Sequence, residues 1–229
     1  MNNQSIASFK QDQFILLNRI LKAVELPVVK HSIEEKKKFG EKTDLYILDW
    51  CKNDFQNIFL EKIINIIHEN TGLNKNYLRA NFTKKVYYTE DSIESLHRNQ
   101  IYHYDSYPSI KCMIYLSDNS KLGSGCITFL KNSHRSFYMK IVNFLRFFYV
   151  PAKYGVKQNF FYKTVLNKCN SYEAFGEVGS VCIFNTDVFH KAGLVKLTDF
   201  RRKILRFDFK KDRKSGVYID GIMSKLLKN

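Results

Sequence analysis

Residues 101 to 105 are Ile101-Tyr102-His103-Tyr104-Asp105, a run of β-forming residues with a histidine and an aspartate two positions apart. On a strand, side chains at i and i+2 leave the same face, so this pair can approach one metal ion. Further along, Gly179-Ser180-Val181-Cys182-Ile183-Phe184 reads as a buried strand, and His190 follows it after a short turn. Two histidines and one carboxylate can hold a metal such as iron from one side and leave the other side open. We therefore predict a metal site formed by His103, Asp105 and His190.

The segments around these two runs alternate short β-like stretches with turn residues. The predicted strands are Lys85–Tyr88, Gln100–Tyr104, Ile110–Leu116, Cys126–Leu130, Ser180–Phe184 and Lys203–Phe209. Earlier in the chain, apolar residues recur at helical spacing from Ile6 to Val24 and again from Phe55 to Asn70. Because the helices come first and the strands do not alternate with helices, we predict a mainly β fold with flanking helices. Its expected form is a two-sheet jelly roll braced by N-terminal helices.

The length of 229 residues fits one domain with a single core, and 10 Gly and 3 Pro leave no obvious linker. We predict helical support over residues 1–80 and a β core over 81–210. A mostly helical, aromatic insertion is expected at about 137–172, and a basic tail at 211–229. The insertion is interpreted as a core helix, with a lid or a peripheral membrane contact as the alternatives.

The formal net charge of +15 favours anionic partners, which include nucleic acid, lipid head groups and phosphorylated substrates. It is equally compatible with lysines dispersed over a solvated surface. No stretch at the start resembles a secretory signal, and no apolar run is long enough to span a bilayer. The five cysteines show no CxxC spacing and are interpreted as buried thiols, so we expect a cytoplasmic protein without disulfides.

A basic run lies eleven residues beyond His190 and begins with Arg201. If this run is the next strand, Arg201 is expected to project towards the metal site, with Lys203 on the same face and Arg202 and Ile204 pointing away. A guanidinium offers a rigid fork to a carboxylate, such as the distal carboxylate of 2-oxoglutarate. The other interpretation of this run is a basic edge strand that faces solvent.

The order and spacing of these residues resemble the phytanoyl-CoA dioxygenase family of non-haem iron oxygenases over roughly half of the chain, from about residue 86 to residue 209. The matching segments are His103-Tyr104-Asp105, Lys111 to Asp118, Gly123 to Phe129, Lys131-Asn132-Ser133-His134-Arg135, Gly176 to His190 and Phe200-Arg201. The resemblance implies a double-stranded β-helix (cupin-like) fold with iron(II) bound by the three predicted ligands. It also implies 2-oxoglutarate anchored by Arg201, with O2 as cosubstrate.

The activity implied by the resemblance is hydroxylation of an unactivated C–H bond in a small, lipid- or sugar-linked metabolite. The net positive charge of the protein is compatible with an anionic substrate. Related halogenases replace the metal-binding carboxylate by a small residue, so the intact Asp105 favours hydroxylation. Candidate substrate contacts near the site in sequence are Arg98, Tyr104, Tyr107 and His134. The identity of the substrate and the oligomeric state stay open.

The chain departs from the family pattern at two places. Lys131-Asn132 stands where the family usually has Pro-Gly, which predicts a differently shaped turn. Ala192 occupies a position where a hydroxyl residue often helps to hold the cosubstrate, which leaves Arg201 with less support.

Two alternative functions remain. One is a nucleic-acid dealkylase of the same fold, suggested by the net charge and by the pair Arg201 and Arg206. The other is a non-catalytic basic module that binds nucleic acid or anionic ligands, which salt-dependent binding without turnover would indicate.

Overall fold

The computed structural model describes residues 3–22, 45–93, 102–105, 108–136 and 167–210. Within these ranges the helices are α1 (Asn3–Asp12), α2 (Asp54–Thr71) and α3 (Lys75–Asn81). The strands are β1 (Phe14–Leu17), β2 (Leu45–Asp49), β3 (Phe82–Asp91), β4 (Ser109–Tyr115), β5 (Thr128–Leu130), β6 (Ser171–Glu173), β7 (Val181–Asn185), β8 (His190–Lys191) and β9 (Arg202–Lys210). One turn of 3-10 helix covers Ser133–Arg135.

The strands form two antiparallel sheets. The large sheet has the order β1-β7-β4-β9-β3-β2, and the small sheet has the order β6-β5-β8. Strands β4 and β9 therefore lie at the centre of the large sheet. This mainly β architecture with a few helices confirms the predicted double-stranded β-helix, or jelly roll.

Helix α2 covers one face of the large sheet. Asn53 caps its N-terminus by accepting a backbone hydrogen bond from the first turn, and the helix ends where Gly72 adopts a left-handed φ of 75°. The buried residues of α2 recur at helical spacing and form one core with alternate residues of β3, β4 and β9. On β9, this helix-facing core includes Leu205 and Phe207. These contacts define the helix-facing side of the large sheet.

The other face of the large sheet packs against the small sheet. Phe14 of β1 stacks on Phe129 of β5 with 4.5 Å between the ring centroids, and Phe184 of β7 meets the Phe129 ring edge-on at 5.1 Å. Because side chains alternate along a strand, the residues between those of the helix-facing core point into the space between the sheets. On β4 and β9, these inward positions include Lys111, Met113, Arg202, Arg206 and Asp208.

The prediction for the N-terminal segment is wrong in part. The helix predicted from Ile6 to Val24 ends at Asp12, and after Gln13, which has a φ of 62°, the chain continues as β1. Pairing of β1 with β7 and the stacking of Phe14 outweigh the helical periodicity of the apolar residues. Strand β2 likewise lies within the 1–80 segment predicted to be helical.

The remaining predicted elements agree better with the structure. The helix predicted at Phe55–Asn70 is α2, and five predicted strands coincide with β3, β4, β5, β7 and β9. The described part of the predicted strand Gln100–Tyr104 contains an isolated bridge at His103 and no strand.

The predicted helical insertion at about 137–172 ends in a strand, because β6 begins at Ser171. Its residues 137–166 and the predicted tail 211–229 lie outside the described residues. The one-domain organisation stays a prediction. Among the described residues, no helix has both the length and the apolar character needed to cross a membrane.

Candidate metal centre

The two histidines of the predicted site are neighbours in an antiparallel bridge. The backbone N–H of His103 donates to the carbonyl oxygen of His190, and the N–H of His190 donates to the carbonyl oxygen of His103, both at 2.9 Å. Residues that exchange both backbone hydrogen bonds place their side chains on the same side of the pair. The two imidazole rings accordingly lie 4.6 Å apart between centroids.

Asp105 completes the group from the same extended segment. Its Oδ1 lies 4.0 Å from Nε2 of His103 and 3.8 Å from Nε2 of His190, and the potential ligand atoms of the three residues all lie within 4.8 Å of one another. Neighbouring ligands on an ion with bonds of about 2.1 Å are separated by about 3 Å. A small rotation of the side chains therefore suffices for all three residues to bind one ion. The structure brings the predicted triad together.

His190 is prepared as a neutral ligand. Its Nδ1 lies 2.8 Å from the carbonyl oxygen of Val188, which can only accept, so this nitrogen carries the proton and Nε2 presents its lone pair towards Asp105. The side chain is almost completely buried, and this burial lowers the pKa of His190 from 6.5 to about 3. Metal-binding histidines must be unprotonated, and His190 meets that condition at neutral pH.

Asp105 is held in its ionised form. Burial raises the pKa of this carboxyl, but the positive charge of Lys111, followed by His190, outweighs burial and lowers the pKa to about 2. Nζ of Lys111 lies 2.5 Å from Oδ2 of Asp105. The two carboxylate oxygens therefore face different partners, with Oδ1 towards the imidazoles and Oδ2 towards the ammonium group.

Lys111 was not predicted as a residue of the site. It projects from β4 into the space between the sheets, where it is only 8% exposed, and it stands opposite Phe184 on β7 and Asp208 on β9. The ring of Phe184 in turn packs 4.9 Å from that of His190. A lysine at an alternating position within the apolar strand Ile110–Leu116 is the signal that could have identified it.

The orientation predicted for Arg201 is wrong. Arg201 and Lys203 do share a face, but both approach Glu90 at 3.6 Å and 3.8 Å, on the side of the sheet opposite to Arg202. The side chain of Arg201 is 68% exposed. The candidate metal centre lies on the inward face, which carries Arg202 in this part of β9.

Arg202 is engaged in a buried network. Its guanidinium forms an ion pair with Asp91 and donates to the carbonyl oxygens of Gly125 at 2.5 Å and Gly193 at 3.3 Å. Gly193 lies so close to the neighbouring chain that an added Cβ would stand 2.1 Å from the carbonyl oxygen of Cys126. The segment that follows His190 is thus held against the core by the hydrogen bond from Arg202 and by the close packing of Gly193.

Arg206 lies four residues beyond Arg202, on the same inward face of β9. Its guanidinium carbon stands 4.3 Å from the centre of the Tyr87 ring, and its Nε lies 2.9 Å from a carboxylate oxygen of Asp208. In the register of the sheet, Arg206 stands opposite Met113, two positions from Lys111 on β4. Arg206 therefore places a second cation on the face that carries the metal centre.

The candidate substrate contacts are only partly described. The ring of Tyr104 packs against Phe189 at 5.6 Å, next to His190. The 3-10 turn that carries His134 is tied to the same segment, because Ser133 Oγ accepts a hydrogen bond from the N–H of Phe189 at 2.9 Å. Arg98 and Tyr107 lie outside the described residues. Contact of these four residues with a substrate stays a prediction.

Asn132 lies in the turn where the chain has Lys131-Asn132 in place of the family's Pro-Gly. It adopts a φ of 62°, a left-handed conformation that asparagine tolerates better than most residues other than glycine. Asparagine can therefore occupy a position of this turn that would otherwise favour glycine. The predicted change in the shape of the turn stays untested.

No family model and no curated protein matches the chain. Solved structures do match. The non-haem α-ketoglutarate-dependent carbocyclase SnoK from nogalamycin biosynthesis aligns with a TM-score of 0.63 at 12% identity, over 92% of this chain and 84% of that one. HygX from Streptomyces hygroscopicus, solved with nickel and 2-oxoglutarate, aligns with a TM-score of 0.59 at 12% identity, over 92% and 87%.

EctD from S. alaskensis, solved with 2-oxoglutarate and 5-hydroxyectoine, aligns with a TM-score of 0.62 at 12% identity, over 92% of this chain and 76% of that one. The chain therefore shares its fold with a non-haem α-ketoglutarate-dependent carbocyclase and with two proteins that were solved with 2-oxoglutarate.

Proposed function

We propose that this protein is an iron(II)- and 2-oxoglutarate-dependent dioxygenase that hydroxylates an unactivated C–H bond of a small, lipid- or sugar-linked metabolite. The observation that carries the proposal is the geometry of His103, Asp105 and His190, with one carboxylate oxygen directed at two imidazoles. A two-histidine, one-carboxylate group is typical of iron(II) oxygenases, and it suits iron through its mixed nitrogen and oxygen donors. Within the superfamily, the motif order supports a phytanoyl-CoA dioxygenase-like enzyme.

When bound, the iron and 2-oxoglutarate supply the oxidation chemistry that activates O2 and attacks the C–H bond. The residues of the chain supply the surroundings. His190 presents a neutral nitrogen, and the Asp105 carboxylate supplies one negative charge. Phe184 and Phe189, both fully buried beside His190, keep water away from that side of the centre. This supports a metal site that is shielded from water on the His190 side, while the side chains of His103 and Asp105 stay partly exposed.

The distal carboxylate of 2-oxoglutarate requires a cation on the face of β9 that carries the metal centre. Arg201 points to the opposite face, and Arg202 is engaged by Asp91 and two carbonyl oxygens. Arg206 is on the required face, and its guanidinium could exchange Asp208 for the incoming carboxylate. We therefore propose Arg206 as the anchor, with Arg201, the residue implied by the family pattern, as the competing candidate.

Anaerobic addition of iron(II) and 2-oxoglutarate to metal-free protein tests the proposal. A visible charge-transfer band should form in wild type and should be absent in His103→Ala. Arg206→Ala should require at least about tenfold more 2-oxoglutarate to develop the band, whereas Arg201→Ala should resemble wild type. If Arg201→Ala instead requires more 2-oxoglutarate and Arg206→Ala resembles wild type, Arg201 is the residue that anchors the cosubstrate. Absence of the band in folded wild-type protein would contradict the dioxygenase function itself.

If the charge-transfer band forms, the next experiment is a search for the substrate. Succinate release in the presence of oxygen, measured across lipid- and sugar-linked candidates, should rise above the uncoupled rate for the true substrate. The dealkylase alternative rests on the net charge and on the pair Arg201 and Arg206, and the non-catalytic alternative rests on the net charge. A cytoplasmic location also stays a prediction. Inclusion of single-stranded DNA and RNA in the same screen tests the dealkylase alternative directly.

A further inference from the structure

Lys111 forms an ion pair with the carboxylate of Asp105. Among the described residues, the two histidines of the triad also approach this carboxylate. Its strand, β4, lies between β7 and β9, and both neighbours are paired with it in continuous register. Lys111 is only 8% exposed, and its ammonium group lies 2.5 Å from Oδ2 of Asp105. The central position of its strand therefore holds the ammonium group beside the predicted metal ligand.

The contact assigns different roles to the two oxygens of Asp105. Oδ2 is occupied by Nζ of Lys111 at 2.5 Å, while Oδ1 faces the two imidazole nitrogens at 4.0 Å and 3.8 Å. A carboxylate whose second oxygen is held by an ammonium group binds a metal through the first oxygen alone. One-oxygen binding keeps a further position on the ion open, which a cosubstrate that binds through two atoms needs.

The contact also changes the charge of the centre. Asp105 and Lys111 cancel each other, and Arg206 and Asp208 form a second pair that also cancels. Histidines bind a metal in their uncharged form, so these residues offer a divalent cation no net negative charge. A bound divalent cation would add two positive charges that these residues do not compensate, and 2-oxoglutarate carries two negative charges.

From this arrangement we infer that Lys111 is a positioning residue that restricts Asp105 to one-oxygen binding and makes tight binding of the metal depend on the dianionic cosubstrate. The inference rests on the proposed function, since it assumes that the triad binds a metal. Metal and 2-oxoglutarate then increase each other's affinity by the same factor, as linkage between two bound ligands requires. Lys111 contributes to that factor because it repels the cation and attracts the dianion.

The test measures Mn(II) affinity from the paramagnetic resonance signal of unbound Mn(II), with and without saturating 2-oxoglutarate. Mn(II) serves as the probe because no turnover is needed. The variants are Lys111→Met, which keeps the length of the side chain without its charge, and Lys111→Arg, which keeps the charge. Lys203→Met is the matched control, because Lys203 lies on the neighbouring strand β9 but faces the other side of the sheet. Thermal melts confirm that each variant is folded.

In Lys111→Met we expect Mn(II) alone to bind more tightly and 2-oxoglutarate to bind the metal-loaded protein more weakly, so that the coupling factor falls by about tenfold or more. Lys111→Arg and Lys203→Met should keep the wild-type factor. In wild type, 2-oxobutyrate, which lacks the second carboxylate, should produce less coupling than 2-oxoglutarate.

An unchanged coupling factor in folded Lys111→Met overturns the inference, as does equal weakening of both ligands, which is what a purely structural role predicts. If Lys111→Met does not fold, a lost coupling factor in folded Lys111→Arg would overturn it as well. Failure of wild type to bind Mn(II) under any condition would contradict the metal site and hence the proposed function, which separates the two failures.

Discussion

His103 and His190 are hydrogen-bonded to each other through their backbones in both directions, at 2.9 Å each way. The two imidazoles of the proposed metal centre therefore belong to one antiparallel pair, although four strands of the described chain separate them in sequence. A bound ion connects the same two positions a second time, through the side chains. Metal binding and the closure of this part of the jelly roll should consequently reinforce each other.

The first prediction is that a divalent metal stabilises the protein against heat. A ligand that binds the folded chain alone, at 100 times its dissociation constant, contributes about 2.7 kcal/mol. Scanning fluorimetry with increasing Mn(II) and 2-oxoglutarate should therefore show a rising Tm. Asp105→Ala, which removes a ligand, should show almost no rise, and an equal rise in this variant would place the metal elsewhere.

The second prediction concerns pH. Because the pKa of His190 falls from 6.5 in the unfolded chain to about 3 in the folded one, the unfolded state binds a proton in this range that the folded state does not. The resulting penalty is absent well above pH 6.5 and grows as the pH falls towards 3. Between pH 6.5 and roughly pH 5, the free energy of unfolding of metal-free protein should drop by about 2 kcal/mol from this residue.

Urea denaturation of metal-free protein at both pH values measures that drop. His190→Asn removes the titrating group, so its free energy of unfolding should fall less over the same interval. If wild type and His190→Asn show the same pH dependence, the burial of a neutral His190 does not govern acid stability.

The third prediction concerns the ion pair between Arg202 and Asp91. Both side chains are buried, so Arg202→Met would leave the carboxylate of Asp91 without its cation and should lower the free energy of unfolding by about 3–5 kcal/mol. The double variant Arg202→Met/Asp91→Leu should recover part of the loss. The exposed pair of Arg79 and Glu61 provides the control, since Arg79→Met should change stability by less than about 1 kcal/mol.

The fourth prediction concerns Gly193, which is three residues beyond His190. An alanine Cβ would stand 2.1 Å from the carbonyl oxygen of Cys126, so Gly193→Ala must displace one of the two segments. We expect a loss of about 1–3 kcal/mol in the free energy of unfolding, together with weaker metal binding. Urea denaturation and Mn(II) titration measure the two effects. Wild-type values for both would show that the segment after His190 moves at no cost.

The shared side of His103 and Asp105 could be predicted because the two residues lie only two positions apart in the chain. His103 and Asp105 lie on one short extended run, and the i and i+2 rule holds there even though His103 forms only an isolated bridge. Helix α2 and the central strands could be predicted because their apolar periodicity coincides with the faces that they bury. These are properties that a few neighbouring residues determine together.

Arg201 could not be placed from sequence, because the face of a strand residue depends on the register of the sheet. Strand β9 presents Arg202 inwards and Arg201 outwards, and a shift by one residue would exchange them. Strand β1 was missed for a related reason, since its four residues become a strand only by pairing with β7. Long-range pairing of this kind leaves no periodic trace in a short segment.

Gln13, at the start of β1, accepts a hydrogen bond from the backbone N–H of Asn185, at the end of β7, and its side-chain oxygen accepts a second from the Asn185 amide. Asn185 begins the turn that leads to His190. Residues 13–17 therefore help to hold His190, the third predicted metal ligand, although they are far from it in sequence. If selection preserves the proposed function, it should restrict variation in this inconspicuous N-terminal segment as it does at the three predicted ligands.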